Sequence, residues 1–165
     1  MATTTDRATR MSYRIGRGEQ GVLTFEPYKS ALLPLWRFRT VDIAQKSAND
    51  LWQKFEEYEK QADFVGMDMT RKFIQMGMTR AKRYANHAGG RKYSKATGQE
   101  LEKTSEHHDS KEKLESSIVF REYWNRCRSC KTYLTLKAQF LKDQKEWDKQ
   151  AASGEFQDDL KVKTG

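Results

Sequence analysis

Proline occurs only twice in this chain, at Pro27 and Pro34, and both fall between residues 13 and 39. A locked φ and a missing N–H break a helix interior, so this stretch reads as an extended, turn-rich arm with room for a small β-hairpin. Past Pro34 nothing interrupts the chain in that way, and apolar residues recur at helical spacing. Thr40 fits an N-cap and Asp42 favours the positive helix end. Ala44, Ala48, Leu51, Trp52, Phe55, Tyr58 and Ala62 then recur at helical intervals. A second helix is predicted from about Asp63 to about Ala88, closed by Gly89-Gly90. Met67, Ile74, Gly77, Met78, Ala81 and Ala85 share one of its faces, and Thr70 and Gly77 would let a neighbouring helix come close. A third starts near Ser110, where Asp109 and Glu112 have capping-box spacing, and carries Leu114, Ile118, Trp124 and Cys127. After a break near Ser129, a fourth bears Tyr133, Leu136, Phe140 and Trp147. The expected fold is mainly α: a compact bundle of about four helices with an extended N-terminal arm.

Residues 1–12 and 151–165 read as disordered tails. Residues 13–150 read as a single helical domain with a mobile loop at 93–110, a division that suits 165 residues. Four Trp, seven Tyr and eight Phe supply enough apolar area for a core. No apolar run approaches the roughly 18 residues that span a bilayer, and MATTTDRATR lacks the apolar region of a secretory signal. Two cysteines three residues apart cannot make a disulfide framework. A soluble, intracellular protein is expected, cytoplasmic or nuclear, with no membrane partner.

The net charge of +8 is unevenly spread. Residues 66–95 hold eight Lys/Arg against one Asp/Glu, while residues 96–165 balance at thirteen each. Solvated helix faces usually mix both signs. An unmixed run of Lys/Arg neutralises phosphates, and interleaved tyrosines can stack on unpaired bases. Arg71, Lys72, Arg80, Lys82, Arg83, Asn86, Arg91, Lys92 and Tyr93 are therefore the predicted anion- or nucleic-acid-binding residues.

Other motifs carry less chemistry. GRGEQG at 16–21 matches G-x-G-x-x-G, but a dinucleotide fingerprint needs a buried strand before it and a helix after it. Arg10–Ile15 is too polar for such a strand, and Pro27 would interrupt a helix after the glycines, so they read as a tight turn. Cys127 and Cys130 have the spacing of half a zinc site, yet only His107 and His108 offer a further close set. No metal and no cofactor is expected. Met67 and Met78 read as core filler, while Met69 and Met76 point away from the predicted inner face. Glu19, Glu26, Asp68 and His87 are the candidates for acid–base catalysis, and each needs a positioned partner.

Three runs carry a family likeness: YRIGRGEQGVLTFEPYKSALLPLWRF, DFVGMDMTRKFIQMGMTRAKRYANHAGGRKY and FREYWNRCRSCKTYLTLK. They resemble the domain-of-unknown-function family numbered 4385, over roughly residues 13–140. The resemblance implies that GRGEQG belongs to a family-wide arm containing EPYK. It brings no activity with it, and the cysteine pair lies outside the family pattern.

The leading expectation is a basic helical domain binding nucleic acid or another phosphate-bearing anion through residues 71–95. An enzyme acting on a phosphorylated or nucleic-acid substrate is the alternative. Its site would lie between the arm (Arg17, Glu19, Glu26, Lys29) and the second helix (Asp68, Arg71, His87, Arg91). A third reading is a protein-interaction module for an acidic partner.

Overall fold

Asp6, Thr40 and Asp63 each accept a hydrogen bond from the backbone N–H three residues ahead, at 2.7, 3.1 and 3.1 Å, and each begins a helix. Such caps satisfy donors that a helix start otherwise leaves unpaired. The computed structural model describes residues 5–16, 21–87, 99 and 110–154. Helix α1 (Arg7–Ser12) precedes the arm and α2 (Tyr28–Leu32) lies within it, the latter running into a 3-10 turn at Leu33–Leu35. Beyond the arm come four long helices: α3 (Val41–Lys60), α4 (Phe64–Asn86), α5 (Ser110–Ser129) and α6 (Lys131–Ala152).

The mainly helical expectation holds, but the count does not: six α-helices occur among the described residues rather than four. The additional two are the short N-terminal helices α1 and α2, and the described part of the arm contains no strand. Residues 7–12, expected in a disordered tail, form α1. Helices of five or six residues cannot sustain themselves in water; these two are held by tertiary contacts. Gln144 Nε2 donates to the carbonyls of Met11 and Tyr13 at 2.9 and 2.6 Å. Arg14 reaches Asp148 with both terminal guanidinium nitrogens, at 2.8 and 3.0 Å. Most of the predicted 93–110 loop lies outside the described residues, as does the chain beyond Gly154.

Helix α4 is the hub. From Phe64 to Ile74 every residue is buried, because α3, α5, α6 and the arm surround it. Ala44, Ala48, Leu51 and Phe55 form the buried stripe of α3. Phe64 packs its ring on Tyr133 and Phe140 of α6, at centroid distances of 5.5 and 5.0 Å. Gly77 meets α5 so closely that a Cβ there would stand 2.7 Å from the Phe120 ring, which accounts for the small residue the sequence places there. Ser117 Oγ donates to the Met78 carbonyl at 3.0 Å, and Ser110 Oγ to that of Ala85 at 2.8 Å. Glu112 accepts from the Val41 N–H at 3.1 Å, supporting the start of α3; Asp109, its predicted capping partner, lies outside the described residues.

The wrap around α4 corrects several sequence expectations. Met69 and Met76 are buried like Met67. Lys72, predicted to bind an anion, is instead wholly buried, its Nζ 4.7 Å from the centre of the Tyr13 ring. The arm covers the side of α4 that helical periodicity assigns to solvent. Among the described residues, no helix is long and apolar enough to cross a membrane.

Candidate functional site: a cationic cleft over a buried carboxylate

Asp68 is the one carboxylate in the basic segment, and it is completely buried. A buried charge persists only when paired and hydrogen-bonded. Arg71, one turn along α4, donates from Nε to Asp68 Oδ1 at 2.9 Å. Tyr133, in the first turn of α6, donates to the same oxygen at 2.7 Å. Tyr13 of the arm donates to Oδ2. Burial opposes ionisation of Asp68, but the Arg71 charge and these three hydrogen bonds outweigh it and hold the carboxyl below its ordinary range. Burial, and then the Asp68 charge, push the Tyr13 and Tyr133 phenols upward. Burial lowers the affinity of Lys72 for its proton. The network joins the arm, α4 and α6 at a single carboxylate.

Above it opens a cleft of about 500 Å³, lined from the arm by Ile15 and Gly16 and from α4 by Arg71 and Gln75. Trp124 and Arg128 of α5 and Tyr133, Leu134 and Lys137 of α6 complete it. Arg71 Nη1 donates to Gln75 Oε1 at 2.6 Å, so the guanidinium is fixed from both ends. Arg128 lies over the Trp124 ring, 4.2 Å from its centroid. The Trp124 indole N–H is buried and has no hydrogen-bond partner among the described residues. Three cationic side chains thus share one cleft, and none of its described lining residues is acidic. The start of α6 adds the positive end of a 22-residue helix whose N-cap, Cys130, makes no side-chain cap bond.

Among the described residues, Arg71 is the one predicted anion-binding residue that lines this cleft. Lys82 and Arg83 are exposed and Arg80 and Asn86 half-buried, towards the other end of α4. Arg91, Lys92 and Tyr93 lie outside the described residues. The described catalytic candidates, Glu26, Asp68 and His87, do not come together. Glu26 sits on the surface and accepts from the Ser30 N–H at 2.8 Å. His87 is the C-cap of α4, nineteen residues beyond Asp68 and hence about 28 Å away along the helix. Glu19 falls outside the described residues, as do Arg17 and Arg91 of the alternative enzyme site.

The cysteine pair spans the α5–α6 corner. Cys127 is buried, which pushes its thiol up. Cys130 stands where a helix N-terminus could favour a thiolate, but partial burial and Glu59, whose carboxylate accepts from the thiol at 3.1 Å, raise it as well. Among the described residues no group of three His, Cys, Asp or Glu side chains could hold a metal ion; His107 and His108 lie outside them.

Sequence reasoning missed Trp124, Arg128, Lys137 and Tyr133. One signal was present: Trp124 and Arg128 stand at i, i+4 on α5, a spacing that stacks a guanidinium on an indole. Lys137 and Tyr133 reach the cleft only through packing between helices.

No curated protein and no solved structure matches the chain. Residues 1–143 match the family described as Domain of unknown function (DUF4385), and the chain belongs to that family.

Proposed function

We propose that this domain binds a phosphate-bearing anion in the cleft formed by Arg71, Arg128 and Lys137. The observation that carries the reading is the convergence of three cations from three helices on a concave site with no carboxylate among its described lining residues. Its volume of about 500 Å³ falls within the range of sites that enclose small ligands. Arg71 is held in place by Asp68 and Gln75 before any ligand arrives, which lowers the ordering penalty of binding. Arginine forks suit phosphate oxygens, and the α6 N-terminus adds a field of the same sign. The separation of Glu26, Asp68 and His87 leaves no assembled acid–base pair among them, which favours binding over the enzyme reading.

Isothermal titration with inorganic phosphate, pyrophosphate and a mononucleotide tests this directly. Each charge-assisted hydrogen bond contributes about 1.5–3 kcal/mol, so Arg128→Ala and Lys137→Ala should each weaken binding by about tenfold or more. Trp124 fluorescence should report the same event. Absence of binding by every phosphate compound at low salt would overturn the reading.

A further inference from the structure

We propose that the cleft is the closed end of a longer cationic groove along the α4–α5 seam, and that its occupant is a single-stranded polynucleotide. This rests on the phosphate reading above and names the ligand class.

Helical register defines the seam. On α4, Arg71, Gln75, Lys82 and Asn86 stand at i, i+4, i+11 and i+15, within about 60° of one another around the axis. On α5, Ser110, Ser117, Arg121, Trp124 and Arg128 fall on one stripe in the same way. Contacts at both ends tie the two faces together. Ser110 bonds Ala85 and Ser117 bonds Met78, while Trp124 and Arg128 share the cleft with Arg71 and Gln75. Arg121 therefore lies along the seam between the cleft and Ser117, and Lys82 stands one turn past Met78 on the facing helix. Helix α6 meets Phe64 at the opposite end of α4, and both Lys82 and Arg121 are exposed.

Arg71 is paired with Asp68; the other cations of the seam have no ion-pair partner among the described residues. Lys82, Arg121, Arg128 and Lys137 enter none, whereas Arg126, on a different face of α5, pairs with Glu122 at 2.7 Å. Helix α4 has no acidic residue after Asp68, and the α5 stripe from Ser110 to Arg128 has none. Cations on both walls of a groove attract a polyanion rather than a lone phosphate. The cleft itself, walled by Trp124 and Tyr133, has room for one nucleotide, and a base can enter such a site only when it is unpaired. From Arg71 to Lys82 is about 16 Å along the helix, which suits roughly four nucleotides, the short end of known single-strand sites.

The test measures a mononucleotide, oligothymidylates of about 2, 4, 8 and 16 nucleotides, and a duplex of the longest, by titration calorimetry and anisotropy across a salt series. Affinity should rise at least tenfold from the mononucleotide to about four nucleotides, level off by about eight, and exceed that for duplex. Combined Lys82→Ala and Arg121→Ala should weaken the longer oligonucleotides about tenfold. It should also flatten the log–log salt slope by about 1.4 and leave the mononucleotide untouched. Both side chains are exposed, and circular dichroism should show the fold unchanged. Equal affinity for mononucleotide and oligonucleotides, or tighter binding of duplex, would overturn the groove while leaving the cleft as a phosphate site. Failure of all of them to bind would remove both.

Discussion

Arg71 and Asp68 form an ion pair inside α4, three residues apart, with the carboxylate fully buried and the guanidinium at the floor of the cleft. Such a pair orients a cation for a ligand, and it also makes the fold depend on one proton. Removing one member of a buried pair strands the other, at a loss of about 3–5 kcal/mol. Asp68→Asn should therefore lower the urea midpoint strongly at neutral pH. The folded pKa of Asp68 lies below its ordinary value near 3.8. Its contribution is thus present above that value and is lost as pH falls through the folded pKa. The gap between wild type and variant should narrow below about pH 4; a gap independent of pH would show that Asp68 carries no charge in the fold.

Gly77 sets the distance between α4 and α5. A Cβ there would lie 2.7–2.9 Å from three atoms of the Phe120 ring, and Phe120 is itself fully buried. Overpacking costs about 1–3 kcal/mol, against a gain of about 1 kcal/mol in helix propensity from alanine. Gly77→Ala should be destabilising on balance. Adding Phe120→Leu, which withdraws the ring edge, should recover part of the loss in a double-mutant cycle. Strictly additive losses would mean that the two residues do not share the contact.

The cysteines should separate by reactivity. Cys127 is buried and Cys130 half-buried, and both thiols are raised. In native protein at pH 7, iodoacetamide should label Cys130 slowly and Cys127 only after unfolding, as read by peptide mass spectrometry. Cys130→Ser should be tolerated. Cys127→Ser should cost about 1–3 kcal/mol, because it places a hydroxyl where the thiol has none of its polarity to satisfy. Rapid native labelling of Cys127 would contradict its burial.

The four long helices were legible because each has a periodic apolar face, and two have a side-chain cap besides: Thr40 and Asp63 cap α3 and α4 as their positions indicate. Helices α1 and α2 were not, since five or six residues carry too little periodicity to declare themselves. Lys72 misled for a different reason. A lysine on the polar side of a helical wheel reads as solvated, and only the arm, with Tyr13 laid over it, makes that side internal. The cleft was half legible. Arg71 belongs to the basic run, but Arg128 and Lys137 come from a charge-balanced stretch and acquire their meaning from a three-helix junction.

The buried tyrosines give a last prediction, on the alkaline side. Tyr13 and Tyr133 donate to Asp68, and Tyr28 donates to Asp63 at 2.7 Å. Burial is the main cause that raises all three phenols above 10.0, with the neighbouring carboxylates adding to it. Tyr58, half-buried beside Asp63 and Glu57, is pushed up to about 12 by the same causes. For a phenol raised in the fold, the native state holds its proton where the unfolded chain has lost it. Stability from these groups is therefore complete below about pH 10 and falls as pH rises beyond it. Spectrophotometric titration of native protein should leave Tyr13, Tyr28, Tyr58 and Tyr133 silent at pH near 11, with their absorbance appearing together as helicity collapses. Tyr133→Phe should remove one phenol from that late step and loosen α6 from α4, by about 1.5–3 kcal/mol for a hydrogen bond to a charged group. Smooth ionisation of every tyrosine near pH 10, with helicity intact, would mean that the Asp68 network is open to solvent.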